Sequence, residues 1–143
     1  MATKVNKADV LIKCIKPQSF SFICPIYEHL IEVIIGEVEL KRVVKLYPKN
    51  PALQFVYADC IDDGSDVGGY HYASANCTHS IIYLTLPEGF FEFARNLSHE
   101  IRHCVDAILI PRGFDFIPNT ANESFSYLQG YLTEVILEKI KYS

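Results

Sequence analysis

The sequence predicts an α+β fold: a small mixed sheet built first, then two packed C-terminal helices laid on it. Three observations carry this. HLIEVIIG, residues 29–36, is β-branched and ends at a glycine, which marks a buried strand. GYHYASA (69–75) and SIIYLTL (80–86) are two further runs joined by NCTH, which reads as a hairpin. EGFFEFARNLSHEIRHCVDAILI, residues 88–110, keeps Phe90, Phe93, Leu97, Ile101, Cys104 and Ile108 in helical phase over a long span.

The remaining elements follow in order. VLIKCI (10–15) and FSFIC (20–24) are short apolar runs punctuated by Pro17 and Pro25 and are expected as strands. EVELKRVVKLY (37–47) suits a short amphipathic helix stopped by Pro48. LQFVYADCI (53–61) is expected as another strand, and DDGSDVGG (62–69) as a loop by its aspartates and glycines. Pro87 ends the hairpin just before the long helix, a position where proline is tolerated. PRGFDFIPN (111–119) reads as a loop, and a last helix runs from about 120 to 141.

With 143 residues, half of them hydrophobic, the chain is expected to form one domain, 1–143, around a substantial core. The net charge of −4, with no cluster of lysine or arginine, argues against nucleic acid as a partner. Five cysteines, an odd number with no CxxC pair, suggest reduced thiols and a cytoplasmic location. The N-terminal stretch is too broken by lysines for a signal peptide or a membrane span, so no membrane partner is expected.

The chemistry-bearing stretch is HEIRH, residues 99–103, in the middle of the long helix. Leu97, Ile101, Cys104 and Ile108 share the core face, while His99, His103 and Asp106 lie nearly opposite. The i, i+4 spacing stacks His99 and His103 one turn apart, so that each imidazole can give a nitrogen to one zinc ion. Glu100, rotated by one residue, would serve as a base rather than a ligand. The plainer reading is a solvated helix face. Three carboxylates follow as candidate third ligands: Asp106, Asp115 and Glu123. Asp106 is better suited to support a histidine by hydrogen bonding, and Asp115 has no place that the pattern fixes. Glu123 opens the last helix, although TANE (120–123) also reads as a capping box. That helix sets an apolar stripe of Phe125, Leu128, Leu132, Val135 and Ile136 against a face of Glu123, Tyr127, Gly130 and Glu134. A face with Gly130 at its centre is expected to let the HEIRH helix approach closely. His71 and His79, in or near the hairpin, are rival ligands or simply exposed strand residues.

HEIRH followed by NESFSYLQGYL resembles the gluzincin type of zincin metallopeptidase, and in particular small phage- and prophage-type zincin-like proteins. The similarity covers roughly residues 80–135. It implies a zincin-like fold and one zinc ion held by His99, His103 and Glu123. It also implies Glu100 as general base, with Tyr127 or Tyr131 near an oxyanion. The implied activity is hydrolysis of a peptide or protein substrate. The sequence is much shorter than well-studied gluzincins, so a further subdomain closing the cleft is not expected here. The alternative is therefore a catalytically weak or inactive zincin-fold protein that acts as a binding module.

Overall fold

The computed structural model describes residues 6–62, 68–114 and 122–143. It is a mixed α+β structure with a four-stranded sheet and, among the described residues, five α-helices. The order is α1 (Lys7–Lys13), β1 (Gln18–Cys24), β2 (His29–Ile35), α2 (Glu37–Leu46), α3 (Pro51–Tyr57), β3 (Gly69–Ala73), β4 (His79–Leu84), α4 (Phe90–Leu109) and α5 (Asn122–Lys139). The sheet runs β1-β2-β4-β3. β2 and β4 are parallel at its centre, and the outer strands β1 and β3 are antiparallel to their neighbours.

The expected strand at 29–36, the helix at 37–47, the hairpin, the long helix and the last helix all form within a few residues of the expected bounds. Two expected strands are helices instead. Residues 10–15 fall mostly in α1, because the Asn6 side chain accepts a hydrogen bond from the Ala8 amide and caps the turn at 2.9 Å. Residues 53–61 lie in α3 and a π-helical turn, Ala58–Asp62. Asn50 caps α3 by accepting from the amides of Ala52 and Leu53, and Pro51 occupies the first turn, where its missing N–H costs nothing. The apolar residues of this run bury Leu53, Val56 and Cys60 at helical spacing. The expected loop residues 63–67 and 115–119, with Asp115 and the Thr120 cap, lie outside the described residues.

The sheet separates two cores. On one side Ile34, Ile81 and Tyr83 meet Leu40 and Val43 of α2 and Leu53 and Val56 of α3. On the other, Ile31, Val33, Ile35, Ile82 and Leu84 meet Ile12, Ile101, Val105 and Ile108, with Phe125, Leu132 and Ile136 of α5. α1 is tied to α4 through Asp9, whose carboxylate accepts the amide of Phe90 at 2.7 Å and so caps the α4 N-terminus from another element. The C-terminus is tied to the first strand, where Gln18 Oε1 accepts the Lys141 amide at 2.7 Å. Among the described residues no helix is long and apolar enough to cross a membrane.

Candidate metal centre

α4 presents its core face as the sequence pattern expects, with Leu97, Ile101, Cys104 and Ile108 all buried. His99 and His103 are exposed, and their Nε2 atoms stand 3.0 Å apart. Without an ion this contact needs a proton on one nitrogen. Two nitrogens on one zinc ion, each about 2.0–2.1 Å from it in tetrahedral geometry, would be about 3.3 Å apart. The pair is therefore close to the separation a shared ion requires.

Glu100 has the opposite environment. It is 6% exposed and packed under β3. A Cβ at Gly69 would lie 2.9 Å from the Glu100 Cγ, and at Gly68 it would run into the Asn96 side chain. The Gly68–Gly69 pair thus lets α4 press Asn96 and Glu100, one helical turn apart, against the strand. Burial raises the proton affinity of the Glu100 carboxyl above the ordinary value, and the neighbouring His99 pulls it back in part.

β3 forms the wall facing α4. Its alternation puts Gly69 and His71 toward α4 and Tyr70 and Tyr72 toward the other core. The His71 ring lies 6.2 Å from that of His103, nearly parallel to it at 18°. His71 Nε2 is 2.9 Å from Ser80 Oγ, and the same oxygen is 2.8 Å from His29 Nε2. His29 Nδ1 is 3.0 Å from the Cys77 carbonyl oxygen. Burial, then the nearby His103, pushes His71 down to about 4, so it is neutral at physiological pH. His79, the other hairpin histidine, is turned to Glu32 at 3.1 Å.

Three expectations about this site change. Asp106 does not support a histidine; its Oδ1 sits at ion-pair distance, 3.1 Å, from Arg102 Nε one turn back, without hydrogen-bond alignment. Gly130 is not a point of close helix approach, since a Cβ there would meet nothing within 4 Å. α5 docks instead through its apolar stripe, with Phe125 under the Arg102 guanidinium at 4.9 Å and Gln129 facing Ser98. Glu123 is exposed on the first turn of α5, and among the described residues no three His, Cys, Asp or Glu side chains gather closely enough to hold an ion. The structure brings His99 and His103 together, with Glu100 near enough to feel the charge of His99, and no third carboxylate, thiol or imidazole among the described residues completes a metal-holding group with the pair. Tyr127, 75% exposed, lines a cavity of about 480 Å³ with Tyr131, Leu128 and the β1–β2 turn residues Pro25, Ile26 and Tyr27.

His29 and Ser80 are not legible as site residues in the sequence. They are 51 positions apart and meet only because β2 and β4 pair in parallel. Comparison with protein-family models, with curated proteins and with solved structures gives no match.

Proposed function

We propose that the chain is a zinc-dependent peptide hydrolase of zincin-like design, with His99 and His103 as metal ligands and Glu100 as general base. The observation that carries this is the 3.0 Å approach of the two Nε2 atoms, with the next residue after His99 a buried glutamate of raised proton affinity that feels the charge of His99. A zinc ion held by His99 and His103 would supply a Lewis acid and a bound water of lowered pKa there. Glu100 would be the proton acceptor for that water, a task its burial suits because its proton affinity is raised. β3 supports the reading. It is a sheet-edge strand beside the HEIRH helix, and among the described residues no strand pairs with its outer side, so its backbone groups can align an extended peptide.

A second reading, a zincin-fold binding protein without turnover, is favoured by one observation: among the described residues no third His, Cys, Asp or Glu joins the histidine pair closely enough to hold an ion. One experiment separates the two. Zinc content and cleavage of a quenched fluorescent peptide library are measured for the wild type, Glu100→Gln and His103→Ala. The hydrolase reading expects zinc in the wild type and in Glu100→Gln but not in His103→Ala. It also expects Glu100→Gln to cleave roughly 10²–10⁴-fold more slowly than the wild type. Zinc in the wild type with no cleavage by any protein supports the binding reading. No zinc in the wild type overturns the hydrolase reading and leaves the binding reading, which needs no metal.

A further inference from the structure

We propose that the outer edge of β1 is a docking site for an extended peptide that carries a lysine or arginine and, three residues from it, a large apolar side chain. The site lies at the opposite edge of the sheet from β3 and stands apart from the histidine pair and any metal there. β1 (QSFSFIC) holds no charged residue and no proline, the usual means by which a free edge is protected from a further strand. Just upstream, the chain already takes an extended neighbour. The Ser143 amide donates to the Cys14 carbonyl at 2.7 Å and the Lys16 amide to the Lys141 carbonyl at 3.4 Å. The Gln18 side chain bonds both the carbonyl and the amide of Lys141. That pairing stops at Gln18. From Ser19 to Cys24 no described residue outside β2 bonds the β1 backbone, so every second residue turns its N–H and C=O outward.

An added strand sends successive side chains to opposite faces of the sheet, and β1 borders one cavity on each face. On the α2–α3 side, Ser19 and Ser21 line a cleft of about 390 Å³ with Glu32, Val43, Tyr47 and Asn50. Nearby Glu39 is held by Arg42 and by the Ser19 hydroxyl. Glu32 meets His79 through Oε2, and its Oε1 has no partner among the described residues. Ser21 is the cross-strand partner of Glu32. An added strand would lie two strand spacings, about 10 Å, from β2. Only a long side chain crosses that distance, and the small Ser21 leaves it room to pass. A lysine or arginine can therefore end at Glu32. On the α5 side, Phe20, Phe22 and Cys24 turn to the other core. At Cys24 the strand reaches the cavity of about 480 Å³ lined by Tyr127, Leu128 and Tyr131, with the exposed Ile26 at its mouth. This aliphatic and aromatic lining suits a phenylalanine or leucine. Ser21 and Cys24 are three positions apart, and the odd separation sends the two anchors to opposite faces. Backbone hydrogen bonds along the edge supply affinity, and the two cavities supply specificity.

The test uses dye-labelled peptides of threonine and valine that carry lysine and phenylalanine three positions apart, made in both orders so that either strand direction can pair. Affinity is read by fluorescence anisotropy, and position by amide shifts of the isotope-labelled protein. Thermal melts check that Glu32→Gln and Ile26→Ser fold. One order should bind the wild type, with shifts concentrated in Ser19–Cys24. Glu32→Gln should weaken it about tenfold or more, as should glutamate in place of the peptide lysine. Ile26→Ser should weaken the phenylalanine peptide but not one with serine there. N-methylation of one of the two alternate sets of peptide amides should abolish binding, because it removes the strand hydrogen bonds. No binding by either order at millimolar peptide would overturn the inference. So would binding that ignores both Glu32→Gln and N-methylation, or shifts that fall on β3. A wild type that sediments as a dimer and becomes a monomer in Ser21→Arg would also overturn it, since a second copy then covers the edge.

Discussion

The two faces of the sheet are built from the same strands and put to different uses. Toward α2 and α3 the sheet offers Ile34, Ile81 and Tyr83, flanked by Tyr70 and Tyr72, and these simply fill space. Tyr70 donates to the Asp59 carboxylate at 2.6 Å and Tyr72 packs on Phe55, so this core is closed off at β3 by aromatic side chains. Toward α4 the same strands offer Gly69, His71, Ser80 and, from β2, His29. Small residues there let a helix come close, and polar ones are buried in a connected chain rather than avoided. Buried polar groups are costly unless their hydrogen bonds are made, and here His29, Ser80, His71 and the Cys104 side chain make them to one another and to the Cys77 carbonyl. A strand's alternation can thus separate structural from chemical work residue by residue. Position 70 closes a core, and positions 69 and 71 face Glu100 and His103 of α4.

The largest effects should come from the sheet centre, where the division between the faces can be broken outright. Ile81 and Ile82 are adjacent on β4, both 0% exposed, and point to opposite cores. Either one changed to alanine leaves a buried cavity and should cost about 2–5 kcal/mol in urea unfolding. Any zinc affinity of the His99 and His103 pair should fall only in Ile82→Ala, because Ile82 packs in the core under α4, the helix that carries both histidines. Equal loss of zinc in the two variants would mean that the site feels global stability and not its own face.

The next effect depends on pH. The folded pKa of His71, about 4, lies below the ordinary 6.5, and that of His29 is also lowered, chiefly by burial. Between those values the unfolded chain binds the proton that the folded one refuses. The stabilisation is therefore complete above 6.5 and is lost as pH falls toward 4. For His71 the loss in the metal-free protein should be on the order of 3 kcal/mol. Glu100 works in the opposite sense. Its folded pKa is raised, so its contribution is fully present below the ordinary 4.5 and is lost as pH rises through the folded value. Denaturant melts from about pH 7 to 4 should show His71→Gln with a clearly flatter acid decline than wild type. An unchanged slope would mean that His71 is not held neutral by its surroundings.

Much of the frame is legible in the sequence because it is local. Ile31, Val33 and Ile35 announce a buried strand, and the i, i+4 pair His99 and His103 needs only helical geometry to stack. Two helices read as strands when apolar content is weighed more heavily than the caps, Asn6 and the Asn50–Pro51 pair, which the sequence also shows. The face of α5 with Tyr127 and Gly130 invites packing because a glycine permits contact, but permission does not supply a partner, and the apolar stripe wins. His29, Ser80 and His71 become neighbours only through strand pairing across dozens of residues, which no spacing rule encodes.

The smallest effect is the most local. In Gly69→Ala the added methyl would sit 2.9 Å from Glu100 Cγ and 3.2 Å from both Glu100 Oε1 and Leu84 Cδ2. Both side chains are buried, but the shortest contact falls on Glu100 Cγ, so the glutamate is pressed hardest. Overpacking of this size should cost about 1–3 kcal/mol in stability. Its chemical consequence should be more selective. The methyl presses on Glu100 and Leu84, whereas His99 and His103 lie on the exposed face of α4. Zinc should therefore bind as in wild type while peptide cleavage falls with the displaced base. Zinc affinity and cleavage rate measured on the same preparation make the check. If cleavage survives with Glu100 pushed aside, the buried carboxylate does not act as the base.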